Sequence, residues 1–126
     1  MNKISVKGIS IAIIVTLILD TVGGVVGVLL FSESMTEEAI LAIEKQTSFL
    51  LYALVIGLLT TVLGGYICAK YGKAAPYKNS IIFGFFGVAI GLMLATFDPM
   101  WFDILGFVTV IPAAVLGGYI AITKNA

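Results

Sequence analysis

Residues 8–31 read GISIAIIVTLILDTVGGVVGVLLF, an unbroken apolar run of about 24 residues with one ionisable side chain, Asp20. A helix rises 1.5 Å per residue, so such a run reaches across a hydrocarbon core of roughly 30 Å. Working outward, three further apolar stretches follow at residues 49–69, 80–97 and 101–122. The composition matches: 60% of the residues are hydrophobic, 11% are charged and the mean hydropathy is +1.15. A soluble domain of 126 residues needs more charge to cover its surface. The expected fold is therefore an all-α integral membrane protein, a four-transmembrane-helix bundle forming a single transmembrane domain over residues 1–126.

The first run is read as retained rather than cleaved. It is longer than a signal-peptide core, and no small-residue cleavage site follows it. No lipidation motif is visible at either end.

The lysines polarise the chain. Lys3 and Lys7 precede the first span, Lys70, Lys73 and Lys78 lie between the second and third, and Lys124 follows the fourth. Only Lys45 falls on the opposite side, with Glu33, Glu37, Glu38, Glu44, Asp98 and Asp103. The positive-inside rule then places both termini in the cytoplasm. Tyr66, Tyr71, Tyr77 and Tyr119 mark the lysine-rich boundary, and Phe31, Phe49, Tyr52, Phe97, Trp101 and Phe102 the acidic one. The lipid bilayer is the implied partner, with anionic headgroups suited to the lysines.

Between the first two spans, Ser34-x-x-Glu37 is a capping-box pattern, and apolar and acidic residues alternate after it. An amphipathic helix over about residues 35–47 is expected, either lying on the outer surface or running into the next span. At the last outer turn, Asp98 is the expected N-cap and Pro99 the first helical residue of the fourth span.

The hexapeptide VLGGYI occurs twice, at residues 62–67 and 115–120. An identical match at the same depth of two apolar runs predicts two repeated helical hairpins related by an axis along the membrane normal. In that register Pro112 aligns with Leu59, and Pro112 is expected to kink the fourth span because it lacks a backbone donor. Small residues recur at helical spacing: Gly23, Gly24 and Gly27; Gly64 and Gly65; Gly84, Gly87 and Gly91; Gly117 and Gly118. Lipid gives apolar helices no hydrophobic reason to associate, so these glycines are read as helix-packing positions.

Asp20 breaks the apolar pattern. A carboxylate at mid-span costs on the order of 3 kcal/mol on insertion scales, so it should face protein or a wet cavity. No lysine lies at its depth. Two readings follow: a proton or cation site formed with Thr16, Thr60 or Thr61, or a structural hydrogen bond between helices. Cys68 has no partner thiol and is read as a packing residue.

The absences narrow the chemistry. With no histidine, no arginine and one cysteine, the usual zinc sites, a Ser-His-Asp triad and iron–sulfur ligation have no residues to form them. No catalytic residue, metal site or cofactor is expected, no nucleic-acid surface is present, and the chain does not read as an enzyme.

The residues Leu63-Gly64-Gly65-Tyr66-Ile67 and Leu116-Gly117-Gly118-Tyr119-Ile120-Ala121 give the chain a resemblance to small bacterial four-span membrane proteins with LGGYxA motifs, many of unassigned function. That resemblance implies the bacterial cytoplasmic (inner) membrane. In length and in its first-span acid the chain is also similar to small multidrug-resistance transporters. It departs from them in carrying aspartate rather than glutamate, in lacking a tryptophan in the third span, and in its lysine bias. Two functions follow. One is a proton- or cation-coupled transporter or permeation subunit, acting as a homo-oligomer with Asp20 as its coupling site. The other is a non-catalytic accessory or scaffold subunit of a larger membrane-protein complex.

Overall fold

The structure, a computed structural model, describes residues 4–34, 36–43, 46–94 and 100–124. Among these residues five helices follow one another: α1 (Val6–Phe31), α2 (Glu37–Ile43), α3 (Thr47–Tyr71), α4 (Pro76–Leu94) and α5 (Met100–Lys124). Ser5 caps α1, its hydroxyl accepting the Gly8 amide at 3.0 Å, which satisfies one of the free donors of the first turn.

A bundle of four membrane spans does not stand. Among the described residues, three helices are long and apolar enough to cross a membrane: Val6–Phe31, Thr47–Tyr71 and Met100–Thr123. The physical reason lies in α4, whose first turn is Pro-Tyr-Lys-Asn-Ser. Its apolar part, residues 81–94, is about 14 residues and so roughly 21 Å long, short of a hydrocarbon core of about 30 Å. The expected span over residues 80–97 counted Ser80, which is fully buried against α3, and three positions outside the described residues.

The two repeated hairpins are corrected with it. The would-be equivalents α1 and α4 differ in length, at 26 and 19 described residues. The likeness is confined to the two hexapeptides, and these pack on each other. Gly65 lies against the Ala114 backbone carbonyl, and Gly117 against that of Val62.

The outer helix is also displaced from its expected start. It begins at Glu37, and the cap is Thr36, whose Oγ1 accepts the Ala39 amide at 3.2 Å. Ser34 supports that cap from outside through a 3.0 Å hydroxyl contact with Thr36. Ala39 stands at the position where a capping box needs Glu or Gln, so the Ser34-x-x-Glu37 pattern does not close. Met35, Glu44, Lys45, Asp98 and Pro99 lie outside the described residues, and the expected Asp98 cap with them. α5 runs through Pro112 without interruption, so the expected kink does not divide it.

Helix α3 is central, packing on α1, α4 and α5. α1 runs antiparallel to α3: Gly8 meets Tyr71, Gly23 meets Ile56 and Gly27 meets Tyr52. α4 runs antiparallel to α5, its small-residue stripe facing it in order, Gly84 on Ile111, Gly87 on Val110 and Gly91 on Phe107. Lys7, Lys70, Lys73 and Lys78 thus gather at one end. Glu33, Glu37, Glu38 and Asp103 gather at the other, beside the Phe31 ring, which meets Phe49 edge-on and Tyr52 at a tilt.

Burial is uneven along this axis. Ile9, Ala12, Cys68, Phe83 and Ala114 form one packed core in the lysine-rich half. Asn79, Ser80, Ala69 and Ala121 are buried around it. Toward the acidic end, few of the described side chains are buried, Leu50 and Ile43 among them. The helices pack around this core in the lysine-rich half and part toward the acidic end.

Candidate functional site

The parting of the helices creates a cleft of about 470 Å³. Its walls come from four helices: Thr16, Asp20 and Thr21 of α1, Gly57 and Thr61 of α3, Phe83, Gly87 and Gly91 of α4, and Phe102, Gly106 and Thr109 of α5. Glycines make the space, because at Gly57 and Gly106 an added Cβ would meet nothing within 4 Å. The floor is the packed core, where the Phe83 ring lies against Gly64.

Asp20 stands on this wall, exposed rather than enclosed. Its Oδ1 accepts a hydrogen bond from Thr60 Oγ1 of α3 at 2.7 Å. The same hydroxyl also lies 3.0 Å from the Gly57 carbonyl, so two acceptors compete for one hydrogen. Among the described residues no salt bridge involves Asp20.

The other polar residues expected around Asp20 take different places. Thr16 and Thr61 line the cleft, but their hydroxyls donate to carbonyls of their own helices, Ile13 at 3.1 Å and Gly57 at 2.7 Å. Thr60 is buried and holds Asp20 directly. So Asp20 and Thr60 are brought together, while Thr16 and Thr61 flank them without bonding to the carboxyl.

Two threonines not singled out from the sequence share the cleft. Thr21 donates to Leu17 at 2.8 Å and Thr109 to Leu105 at 2.7 Å. The signal for Thr109 is a lone hydroxyl three residues after Gly106 in an apolar run. A hydroxyl that donates to its own helix keeps lone pairs for another donor or a cation. Sequence reading also missed Asn79. Its Oδ1 accepts the Ser5 amide at 2.6 Å, tying the start of α1 to α4 at the basic end.

The predicted packing glycines divide. Gly23, Gly27, Gly64, Gly65, Gly84, Gly87, Gly91, Gly117 and Gly118 all have a neighbouring helix where a Cβ would sit. Gly24 departs from the set: within the chain an added Cβ there would meet open space.

Chemically, the site offers one carboxyl group able to lose and regain a proton, one hydroxyl poised to stabilise its anion, and a ring of hydroxyl lone pairs across an otherwise apolar cleft. Among the described residues no group of three or more His, Cys, Asp or Glu side chains converges as a metal site would require. No protein-family model, curated protein or solved structure matches this chain.

Proposed function

We propose that this chain is a small non-enzymatic membrane protein that carries a proton or cation across a bilayer, as a coupled transporter or permeation subunit, with Asp20 as the coupling site. The observation that carries the reading is the position of Asp20. It stands on the wall of a cleft lined by four helices, held from α3 by Thr60, at the depth where the packed half begins.

Energetic cost supports the reading. An acid at mid-span is expensive to insert, and a hydroxyl partner alone is available from a neutral side chain. A carboxyl retained on the wall of a cleft is suited to exchanging protons or binding a cation. The acidic residues at the wide end favour cations there, and the uneven packing resembles a pathway open at one end. Orientation follows the lysines: the basic end faces the cytoplasm of a bacterial cell. One chain of this size does not enclose a pathway, so the working unit is an oligomer.

The test is flux. The full chain is reconstituted in liposomes and proton and monovalent-cation movement is followed with internal fluorescent indicators. The expected result is a flux that Asp20→Asn abolishes while the variant still folds. Wild-type vesicles as tight as empty ones would sink this reading. A larger membrane complex that co-purifies stably with the full chain would then favour the accessory-subunit alternative.

A further inference from the structure

A second cavity lies at the opposite end of the molecule from Asp20. It measures about 440 Å³ and is lined by Ala69, Lys70, Lys73, Pro76, Ala121 and Ile122. The end of α3, the start of α4 and the end of α5 meet around it. We propose that this cavity binds the phosphate headgroup of an anionic phospholipid.

The lining has two parts that match the two parts of such a lipid. Lys70 and Lys73 are exposed and place two ammonium groups on one recess. Among the described residues neither is held by a carboxylate. Lys7, by contrast, is engaged at the same end, its Nζ lying 5.8 Å from the centre of the Tyr71 ring. The rest of the wall is apolar: Ala69 and Ala121 are buried beneath it, and Pro76 and Ile122 are half-buried at its sides. A hydrated free phosphate uses the lysines and gains nothing from that floor. A phospholipid uses both, the phosphate meeting the lysines and the glycerol and first methylenes covering the alanines.

Depth agrees with the chemistry. α3 and α5 are candidate spans, and the cavity opens where both reach the lysine-rich end. Tyr71, Tyr77 and Tyr119 are exposed around that level, as amphipathic rings are at headgroups. Basic pockets between membrane helices on the cytoplasmic side are known headgroup sites, and each lysine near an anionic surface adds attraction. The lipid site is independent of Asp20 and of transport.

The experiment follows thermal unfolding of the full chain in neutral detergent while phosphatidylglycerol, phosphatidylcholine or inorganic phosphate is added. Phosphatidylglycerol is expected to raise the melting temperature saturably, with phosphatidylcholine and phosphate ineffective. In Lys70→Gln/Lys73→Gln the half-saturating concentration should rise about thirty-fold, whereas Lys78→Gln should behave as wild type. Equal responses of the double variant and wild type would overturn the proposal, since the effect would be one of general surface charge. Stabilisation by inorganic phosphate alone would assign the lysines to a free anion and overturn the lipid assignment. Native mass spectrometry of the wild type gives a reading independent of any variant: one phosphatidylglycerol retained per chain supports the site, and none retained overturns it.

Discussion

Thr60 of α3 donates its hydroxyl hydrogen to Asp20 Oδ1 of α1 across 2.7 Å, joining two helices at the depth where the molecule changes from packed to open. A polar bond between membrane helices averages well under 2 kcal/mol, because the separated helices find other partners. The link therefore positions Asp20 more than it holds the fold together.

Removing either partner should reveal that balance. Thr60→Val and Asp20→Ala are each expected to shift unfolding free energy modestly, with a coupling of about 0.5–1.5 kcal/mol in the double-mutant cycle. Reversible unfolding in mixed micelles measures it. A coupling of zero would mean that the two side chains do not act as a pair.

The crossing of α3 and α5 should tolerate no side chain. At Gly65 and Gly117 a Cβ would run into the backbone of Ala114 and Val62, and backbone cannot rotate away. Gly65→Ala and Gly117→Ala should each destabilise by about 1–3 kcal/mol, or separate the helices. Gly24→Ala and Gly106→Ala, which meet open space, should be neutral or stabilise by up to about 1 kcal/mol through helix propensity. Melting temperatures of the four variants check the contrast, and a uniform response would refute it.

Asn79 should anchor the start of α1. It is fully buried, accepts the Ser5 amide at 2.6 Å and donates to the Ala75 carbonyl at 2.8 Å. Asn79→Leu leaves the Ser5 donor without that partner, at a cost of about 1–3 kcal/mol. Hydrogen exchange should accelerate in the first turn of α1 while the middle of α5 stays protected. Unchanged exchange at residues 5–9 would rule out the anchoring role.

Thiol labelling should report the one-ended opening. Cys68 is fully buried in the packed half, its Sγ 3.8 Å from the Gly8 carbonyl. It should react with a water-soluble maleimide only after unfolding. In a Cys68→Ala background, Thr109→Cys and Thr21→Cys, both on the cleft wall, should react at least tenfold faster than Ser80→Cys. Equal rates at the three positions would show that the cleft is closed to water.

The apolar runs, the polar class of each end and the acid in the first helix were legible without a structure. Each rests on local composition: a run of α1's length and apolarity is enough to cross a membrane, and the seven lysines fall unevenly between the ends of the runs. The glycine stripe of α4 was legible too, because spacing alone puts Gly84, Gly87 and Gly91 on one face, and the structure turns that face to α5. The number of helices able to span was not legible. Counting Ser80 and the residues after Leu94 into an apolar window hid how short the apolar part of α4 is.

What the sequence determined by itself is what periodicity and charge determine: helices, their polarity and the absence of any lysine at the depth of Asp20. The tertiary structure decided which partners those residues meet. It brought Thr60 rather than Thr16 or Thr61 to Asp20, set the two VLGGYI copies against each other instead of in separate hairpins, and parted the helices at the acidic end. The reason is physical. Chain-local preferences fix a helix and its faces, but the rotation and crossing of helices depend on pairs of surfaces far apart in sequence. Close contacts such as Gly65 on Ala114 choose among crossings that the hydrophobic pattern leaves equivalent.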